Sequence, residues 1–407
     1  MNPDNLTTAQ QLRATLGLGS IFFLRMFGLF LLIPVLSLYA VDLAGAAPLL
    51  IGLALGIYGL TQSLLQIPLG MISDRIGRKP VIFAGLALFI LGSLIAALAD
   101  HIYIVILGRA LQGAGAIAAA IMAMVADTTS MQFRTRAMAV IGMSVGMAFL
   151  LAMVLGPLLG ARYGLSGLFY IGAGLAVIAA LILSRLPATG QPRFHSSIET
   201  SPPRLPEVLV QPQLFRFNLG VLCLHIVLMA SFVVLPLILR DYTDLQNSAH
   251  WKLYLPVLLL SVLLMMPFVI LSEKSSTQLP FYRGAVFLLL ASQLGLFFWH
   301  QDIRWIALYL LVFFTAFNYL EASLPAMVSK IINPESKGTA LGIFSTCQFA
   351  GAFLGGLGGG LSFAHGGYGG VFMFNLLVVL GWFTILVWPW PVSTTSFSGQ
   401  LDHPREN

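Results

Sequence analysis

Charge is what this 407-residue chain has least of: 9% of its residues are Asp, Glu, Lys or Arg, against 58% that are hydrophobic. Soluble domains carry about 25% charge, so the composition excludes a water-facing surface over most of the chain and leaves no room for a sizeable soluble domain. The two cysteines, Cys223 and Cys347, both lie in apolar runs at a spacing that suits neither a disulfide framework nor a metal. No catalytic or metal site is indicated, and no cofactor is expected. The phosphate-cradling pattern Gly-x-x-x-x-Gly-Lys-Ser/Thr does not occur, which argues against ATP as an energy source. Neither a selectivity-filter repeat nor a ring of charges points to a channel.

Long apolar runs fill the chain instead. Twelve begin near Leu16, Leu50, Val81, Tyr103, Ala137, Leu165, Phe217, Leu253, Gly284, Ile303, Gly338 and Gly370. Crossing a hydrocarbon core takes about 20 helical residues. The runs are continuously apolar and not alternating, and an isolated span must satisfy its own backbone, so they predict helices and not strands. The expected fold is all-α and integral to the membrane, with twelve transmembrane helices. The first run is too long for a removable leader and lacks a small-residue cleavage site, so it is expected to remain as the first span.

An even number of spans puts both termini on one side. With that side taken as cytoplasmic, fifteen Lys and Arg lie inside and four, Arg162, Arg240, Lys252 and Arg304, outside. This bias predicts a multi-pass cell (inner) membrane protein with both termini cytoplasmic. It also accounts for the net charge of +6, so no nucleic-acid partner is expected.

The longest polar break, 185–216, contains Pro187, Pro192, Pro202, Pro203, Pro206 and Pro212 and reads as a cytoplasmic linker. It separates a six-span half, 1–184, from a second, 217–391, with a cytoplasmic tail over 392–407. An internal repeat agrees: Ala123-Met124-Val125-Ala126-Asp127 aligns with Ala326-Met327-Val328-Ser329-Lys330, and Ala137 then aligns without a gap with Ala340. A fainter echo sets Asp74 and Arg75 opposite Glu273 and Lys274.

Between the second and third runs lies Gly70-Met71-Ile72-Ser73-Asp74-Arg75-Ile76-Gly77-Arg78-Lys79. Gly70 and Gly77 permit turn conformations and close approach, and Asp74 can cap a helix or pair with a cation. On charge alone Arg75, Arg78 and Lys79 could serve only to fix topology. At every defining position, however, the stretch resembles the loop signature of the major facilitator superfamily of secondary transporters. That resemblance implies two six-helix halves that rock about a midplane substrate site. It also implies that Asp74 meets a helix of the other half while Arg78 pairs with Asp127, the acid ending the fourth span.

Charges inside spans cost roughly 2.5 to 3.5 kcal/mol at a helix centre, and three stand out. Arg25 sits about ten residues into the first span, roughly 15 Å deep, among Phe22, Phe23, Phe27 and Phe30. It reads either as a cation facing a substrate cavity or as a structural arginine bonded to carbonyls. Arg109 opens Arg109-Ala110-Leu111-Gln112-Gly113-Ala114-Gly115, which resembles the superfamily's second motif, where the arginine is linked to proton coupling; a packing role stands beside that reading. Glu321 is the one acid well inside a span and is the preferred proton carrier, with Asn318 at helical spacing before it. His225 is the second choice, because imidazole titrates near neutrality; a structural histidine is the alternative. Tyr58, Gln62 and Gln66 recur every four residues and so share one face, either toward a water-filled pathway or in interhelical hydrogen bonds.

Ala152-Met153-Val154-Leu155-Gly156-Pro157-Leu158-Leu159-Gly160-Ala161 resembles the antiporter motif of the superfamily, with Gly156, Pro157 and Gly160 in place and alanines at its outer glycines. Gly351, Gly355 and Gly359 form a small-residue ladder suited to helix packing. The run from Arg25 to Pro157 resembles the drug:proton antiporter-like branch of the family, some members of which carry a soluble domain after the last span. The expected function is proton-coupled export of a small organic compound, whether drug-like amphipath, metabolite or siderophore. Its partners are that substrate, protons and the lipid bilayer, with the proton gradient as energy source and a monomer as the working unit. Uptake by proton symport is the rival reading; a non-transporting membrane receptor is a further one.

Overall fold

The computed structural model describes residues 7–186, 211–275, 278–332 and 337–388. Residues 187–210 of the expected linker and all of the expected tail lie outside these residues. Among them the chain is helical and forms no strand; a single β-bridge joins Ala44 to His101.

Among the described residues ten helices are long and apolar enough to cross a membrane: α1 (Thr8–Phe30), α2 (Pro48–Ile76), α3 (Arg78–Ala97), α4 (Ile102–Thr128), α5 (Gln132–Arg185), α6 (Pro212–Tyr242), α7 (Asn247–Lys274), α8 (Leu279–Trp299), α9 (Ile303–Ile331) and α10 (Gly338–Val387). The count differs from the twelve expected because helix continues through two of the anticipated breaks. α5 and α10 have 54 and 50 residues, lengths of about 80 and 75 Å at 1.5 Å per residue, more than twice one crossing. Each contains a glycine with positive φ, Gly164 at 66° and Gly367 at 58°, where the helical path breaks. Only glycine takes such a conformation without strain. Twelve crossings correspond to reading each of these helices as two arms joined at its glycine.

The ends of the elements follow from local chemistry. Thr7 and Gln10 form a capping box at the start of α1, which satisfies two of the amides that a helix start leaves open. Asp302 caps α9 by accepting from the Arg304 amide at 2.9 Å. The Arg304 guanidinium, 2.8 Å from the other carboxylate oxygen, holds this carboxyl below the usual carboxylate range together with that amide. α4 breaks after Ala114, and the short piece resumes at Ala118.

α1 to α5 pack mainly on one another, as do α6 to α10; the two groups meet principally where α2 crosses α10. There the backbones touch. A Cβ on Gly56 would lie 2.9 Å from the Phe353 carbonyl and 3.2 Å from Gly356 Cα, and one on Gly360 would lie 2.7 Å from the Pro48 carbonyl. The expected ladder Gly351, Gly355 and Gly359 packs α10 on α6 instead. An aromatic cluster extends the junction, with Phe149 of α5 at 6.5 Å from Phe232 of α6 and 6.3 Å from Phe314 of α9, ring centre to ring centre. The glycine contacts between α2 and α10 lie in the first half of α2, toward the end of the bundle away from Gly77, hereafter the far end.

Candidate functional site

Three polar assemblies lie in or beside this apolar frame. The first is the charged turn. Gly77 ends α2 with φ of 100°, and the reversal sets the start of α3 against the end of α4. Arg78 donates from Nε to Asp127 Oδ2 at 3.0 Å, from Nη1 to Ser73 Oγ at 2.9 Å, and also to Asp74. One planar fork thus joins the ends of α2 and α4. Lys79 donates to the Leu186 carbonyl at the end of α5, while Arg75 is exposed. Gly70 faces Ala119, with 3.2 Å available for a Cβ. The Asp74 carboxylate is 61% exposed and, among the described residues, makes no hydrogen bond or ion pair to the second group of helices.

Arg78→Lys is expected to keep one carboxylate contact and lose the fork. These exposed pairs contribute about 1 kcal/mol at most, roughly a factor of five in a conformational ratio. Melting temperature should therefore stay near wild type while the transport rate falls several-fold; an unchanged rate at equal membrane amounts would detach the fork from the working cycle.

The second assembly is buried in α1 to α5. Arg25 and Arg109 are both fully buried. Arg25 donates to Gln62 Oε1 at 2.9 Å and to the Gly115 carbonyl at 3.1 Å, beside the Phe89 ring. The break in α4 strips Gly115 of a helical partner, and in lipid an unpaired carbonyl is costly; the guanidinium supplies the donor. Arg109 donates to the carbonyls of Ala54 and Leu55, each at 3.2 Å, and to Gln112 Oε1 at 2.9 Å, with its guanidinium 4.6 Å from the Tyr58 ring centre. Gln112 passes the chain on to Ser93 at 2.8 Å. Tyr58, Gln62 and Gln66 share the expected face and are buried within this group; Gln62 Nε2 and Gln66 Oε1 have no partner. Gly156 and Gly160 fit against Pro34 and Tyr39 of the chain following α1, with the buried Pro157 between them.

The third lies in α6 to α10. Phe314, Phe317 and Glu321 recur on one face of α9, and Phe314 touches Phe149 across the junction. Glu321 therefore faces the boundary between the two groups, two turns from that aromatic cluster. Gln348 Nε2 donates to Glu321 Oε1 at 2.9 Å and lies 3.0 Å from His225 Nε2. His225 Nδ1 is 3.1 Å from the Val221 carbonyl. A carbonyl only accepts, so Nδ1 holds the proton of the neutral ring and Nε2 accepts from Gln348. Glu321 Oε2 is unpartnered, 3.8 Å from His225 Nε2. Asn318 turns away and donates to Ser261 of α7 at 2.9 Å.

A model of the Major Facilitator Superfamily matches residues 18–355. The chain belongs to that superfamily. Among its relatives, the inner membrane transport protein YajR of Escherichia coli K12 is 43% identical over 387 residues, spanning 95% of this chain and 85% of YajR. The multidrug resistance protein MdtH of Proteus mirabilis is 25% identical over 345 residues, 84% of this chain and 83% of MdtH. In fold, a D-xylose-proton symporter superposes with a TM-score of 0.71 at 15% identity, over 91% of this chain and 96% of that one. The chain is thus a membrane transporter of the Major Facilitator type and not an enzyme.

Sequence reasoning passed over Gln348, although a signal existed: it is the single amide in the apolar run between Ile343 and Gly360. It also passed over Gln112 as the residue joining Arg109 to Ser93, and a buried cluster in which Asn375 donates to Ser231 at 3.0 Å and Gln293 at 2.9 Å.

Proposed function

We infer that this Major Facilitator transporter exports a small amphipathic organic compound in exchange for protons, by alternating access in the inner membrane with both termini cytoplasmic. The observation that carries the reading is the Glu321, Gln348 and His225 assembly: one carboxylate inside a helix, facing the boundary between halves, with one oxygen unpartnered. A bare carboxylate on a cleft wall resists closure, because closing would desolvate it at a cost of roughly 2.5 to 3.5 kcal/mol. Either a proton or a cationic group of the substrate removes that cost. The two are alternatives, and a wall that closes with one or the other exchanges them. The proton gradient supplies the energy, and no cofactor is required.

In this conformation α2 and α10 are closed at the far end, while Asp74 stays with Arg78 at the other. Closure at the charged-turn end would bring Asp74 to the second half, in keeping with the lock that the loop signature implies, with Asp127 holding Arg78 in place. Export is supported by the Gly156-Pro157-Gly160 piece and by the multidrug-resistance name of MdtH. Arg25 and Arg109, saturated by glutamines and carbonyls, act as scaffold in this reading. One chain contains the whole pathway, so the monomer is the working unit.

The test is internal pH in sealed proteoliposomes exposed to a panel of lipophilic cations, organic anions and siderophores. Proton movement opposite to the compound supports exchange; movement in the same direction would replace it with symport. Silence across the panel, with the protein shown folded, would reject proton coupling.

A further inference from the structure

We propose that His250 is a proton site that latches the far end: its ring is neutral while the two halves are closed there and takes up a proton as that end opens. Leu237 of α6 lines a small cavity with Pro48 and Ile51 of α2, so α6 ends, and α7 begins, at the far end. The first turn of α7, Asn247–Ala249, packs mainly against α5 of the first half, and the helix beyond it also meets α5. His250 joins the two pieces. It therefore stands in a second contact between the halves, beside the one that α2 makes with α10.

The ring is 0% exposed, and neither of its nitrogens has a hydrogen-bond partner. One turn further, Tyr254 is 1% exposed with an unpartnered hydroxyl, its ring centre 6.5 Å from that of His250. The Leu245 backbone acts on the imidazole from outside hydrogen-bond geometry. Buried polar side chains are normally satisfied, and an unmade bond costs the full desolvation of its group. Three such atoms at a contact between halves carry that cost only while the contact is closed; opening returns all three to water.

Charge separates the histidine from the tyrosine. A neutral imidazole tolerates this site, whereas an imidazolium would be a buried charge without a partner. Arg162 and Tyr163 on α5, Arg240, Asp241 and Tyr242 on α6, Asp244 between the helices and Lys252 on α7 are all exposed, and none of them bonds to the ring. The proton is therefore taken up in the open form, and by linkage a lower pH on that side favours opening. An exposed imidazole titrates at about 6.5, so a closed form that excludes the proton makes the open-to-closed ratio rise about thirtyfold from pH 8 to pH 5. The inference rests on the alternating access of the proposed function and not on Glu321 as the proton carrier.

Double electron–electron resonance on the full chain in lipid nanodiscs tests it. Spin labels go on Tyr163→Cys and Gln246→Cys, exposed positions on the two sides of the contact, with Cys223→Ala and Cys347→Ala removing the native thiols. The long-distance population should gain on the short one about thirtyfold between pH 8 and pH 5. In His250→Phe the ratio should stay constant over that range, with the far end closed. His250→Asn, which remains polar but takes no proton, should be equally flat and serves if the phenylalanine variant does not accumulate. Tyr254→Phe and Glu321→Gln should both keep the response. A response retained in the His250 variants and lost in Glu321→Gln would give it to the carboxylate and overturn the latch, as would a wild-type ratio that does not change with pH. Opening that follows pH and His250 in nanodiscs, with silence across the compound panel in proteoliposomes, would reject proton-driven export and leave the latch standing.

Discussion

Glu321→Gln is expected to leave the protein folded and inserted while abolishing compound accumulation driven by a proton gradient. Glutamine has the shape of glutamate and keeps an oxygen for Gln348 Nε2, which the carboxylate now accepts at 2.9 Å, so the local bonding survives. What disappears is a group that can change charge within the membrane. One proton crossing 100 mV supplies about 2.3 kcal/mol, enough for roughly a forty-fold gradient. The variant should show an accumulation ratio near one. Exchange of labelled for unlabelled compound should persist, because a neutral side chain no longer opposes closure. Retained accumulation in Glu321→Gln would transfer the proton to another group, and His225, 3.8 Å from Glu321 Oε2, would be the next to replace.

The fold was legible where one physical constraint dominates. Length and continuity of apolar runs marked the helices, and the residues of the charged turn marked the family. The number of continuous helices was less legible: spans were expected to begin near Leu165 and Gly370, but helix runs up to Gly164 and Gly367 and resumes past each without a polar loop. The glycines also illustrate the limit of spacing arguments. Gly351, Gly355 and Gly359 were readable as a ladder, but so are Gly52 and Gly56 with Gly356 and Gly360 once the structure brings them together; intervals of four show that a face is small, not which helix it meets.

The candidate sites divided in the same way. Pairing of Arg78 with Asp127 was implied by a motif and is present at 3.0 Å. Apart from Gln112, one helical turn from Arg109, the hydrogen-bond partners of Arg25, Arg109 and Glu321 described above were not legible, because they come from residues 37 and 90, 55 and 54, and 27 positions away respectively. No local pattern encodes such distances. A buried charge announces in sequence that it must be satisfied; only the packed helices say by what.

That distinction gives Arg109 a prediction opposite in kind to that for Glu321. Arg109 holds two backbone carbonyls and one amide oxygen, all buried. In Arg109→Leu the Gln112 oxygen is left without a donor, at about 1 to 3 kcal/mol, the Ala54 and Leu55 carbonyls, which lie within α2, each lose a second hydrogen bond at about 1 kcal/mol, and the contact with Tyr58 is worth about 2 more when desolvated. Removing a buried cation returns roughly 3 kcal/mol. The balance is a loss of about 3 kcal/mol, a large part of the margin of many folds. Arg109→Leu should therefore accumulate poorly, or melt roughly 6 to 12 °C below wild type in fluorescence-detected size exclusion. Arg109→Lys should recover only part of this, because one ammonium cannot reproduce a planar fork that spans Ala54, Leu55 and Gln112. If Arg109 instead acted chiefly by tuning a proton carrier, Arg109→Leu would melt near wild type and lose only coupling. Glu321 bears an oxygen without a hydrogen-bond partner, whereas Arg109 spends its donors on buried oxygens of its own half; the first should govern transport and the second the stability of the half that contains it.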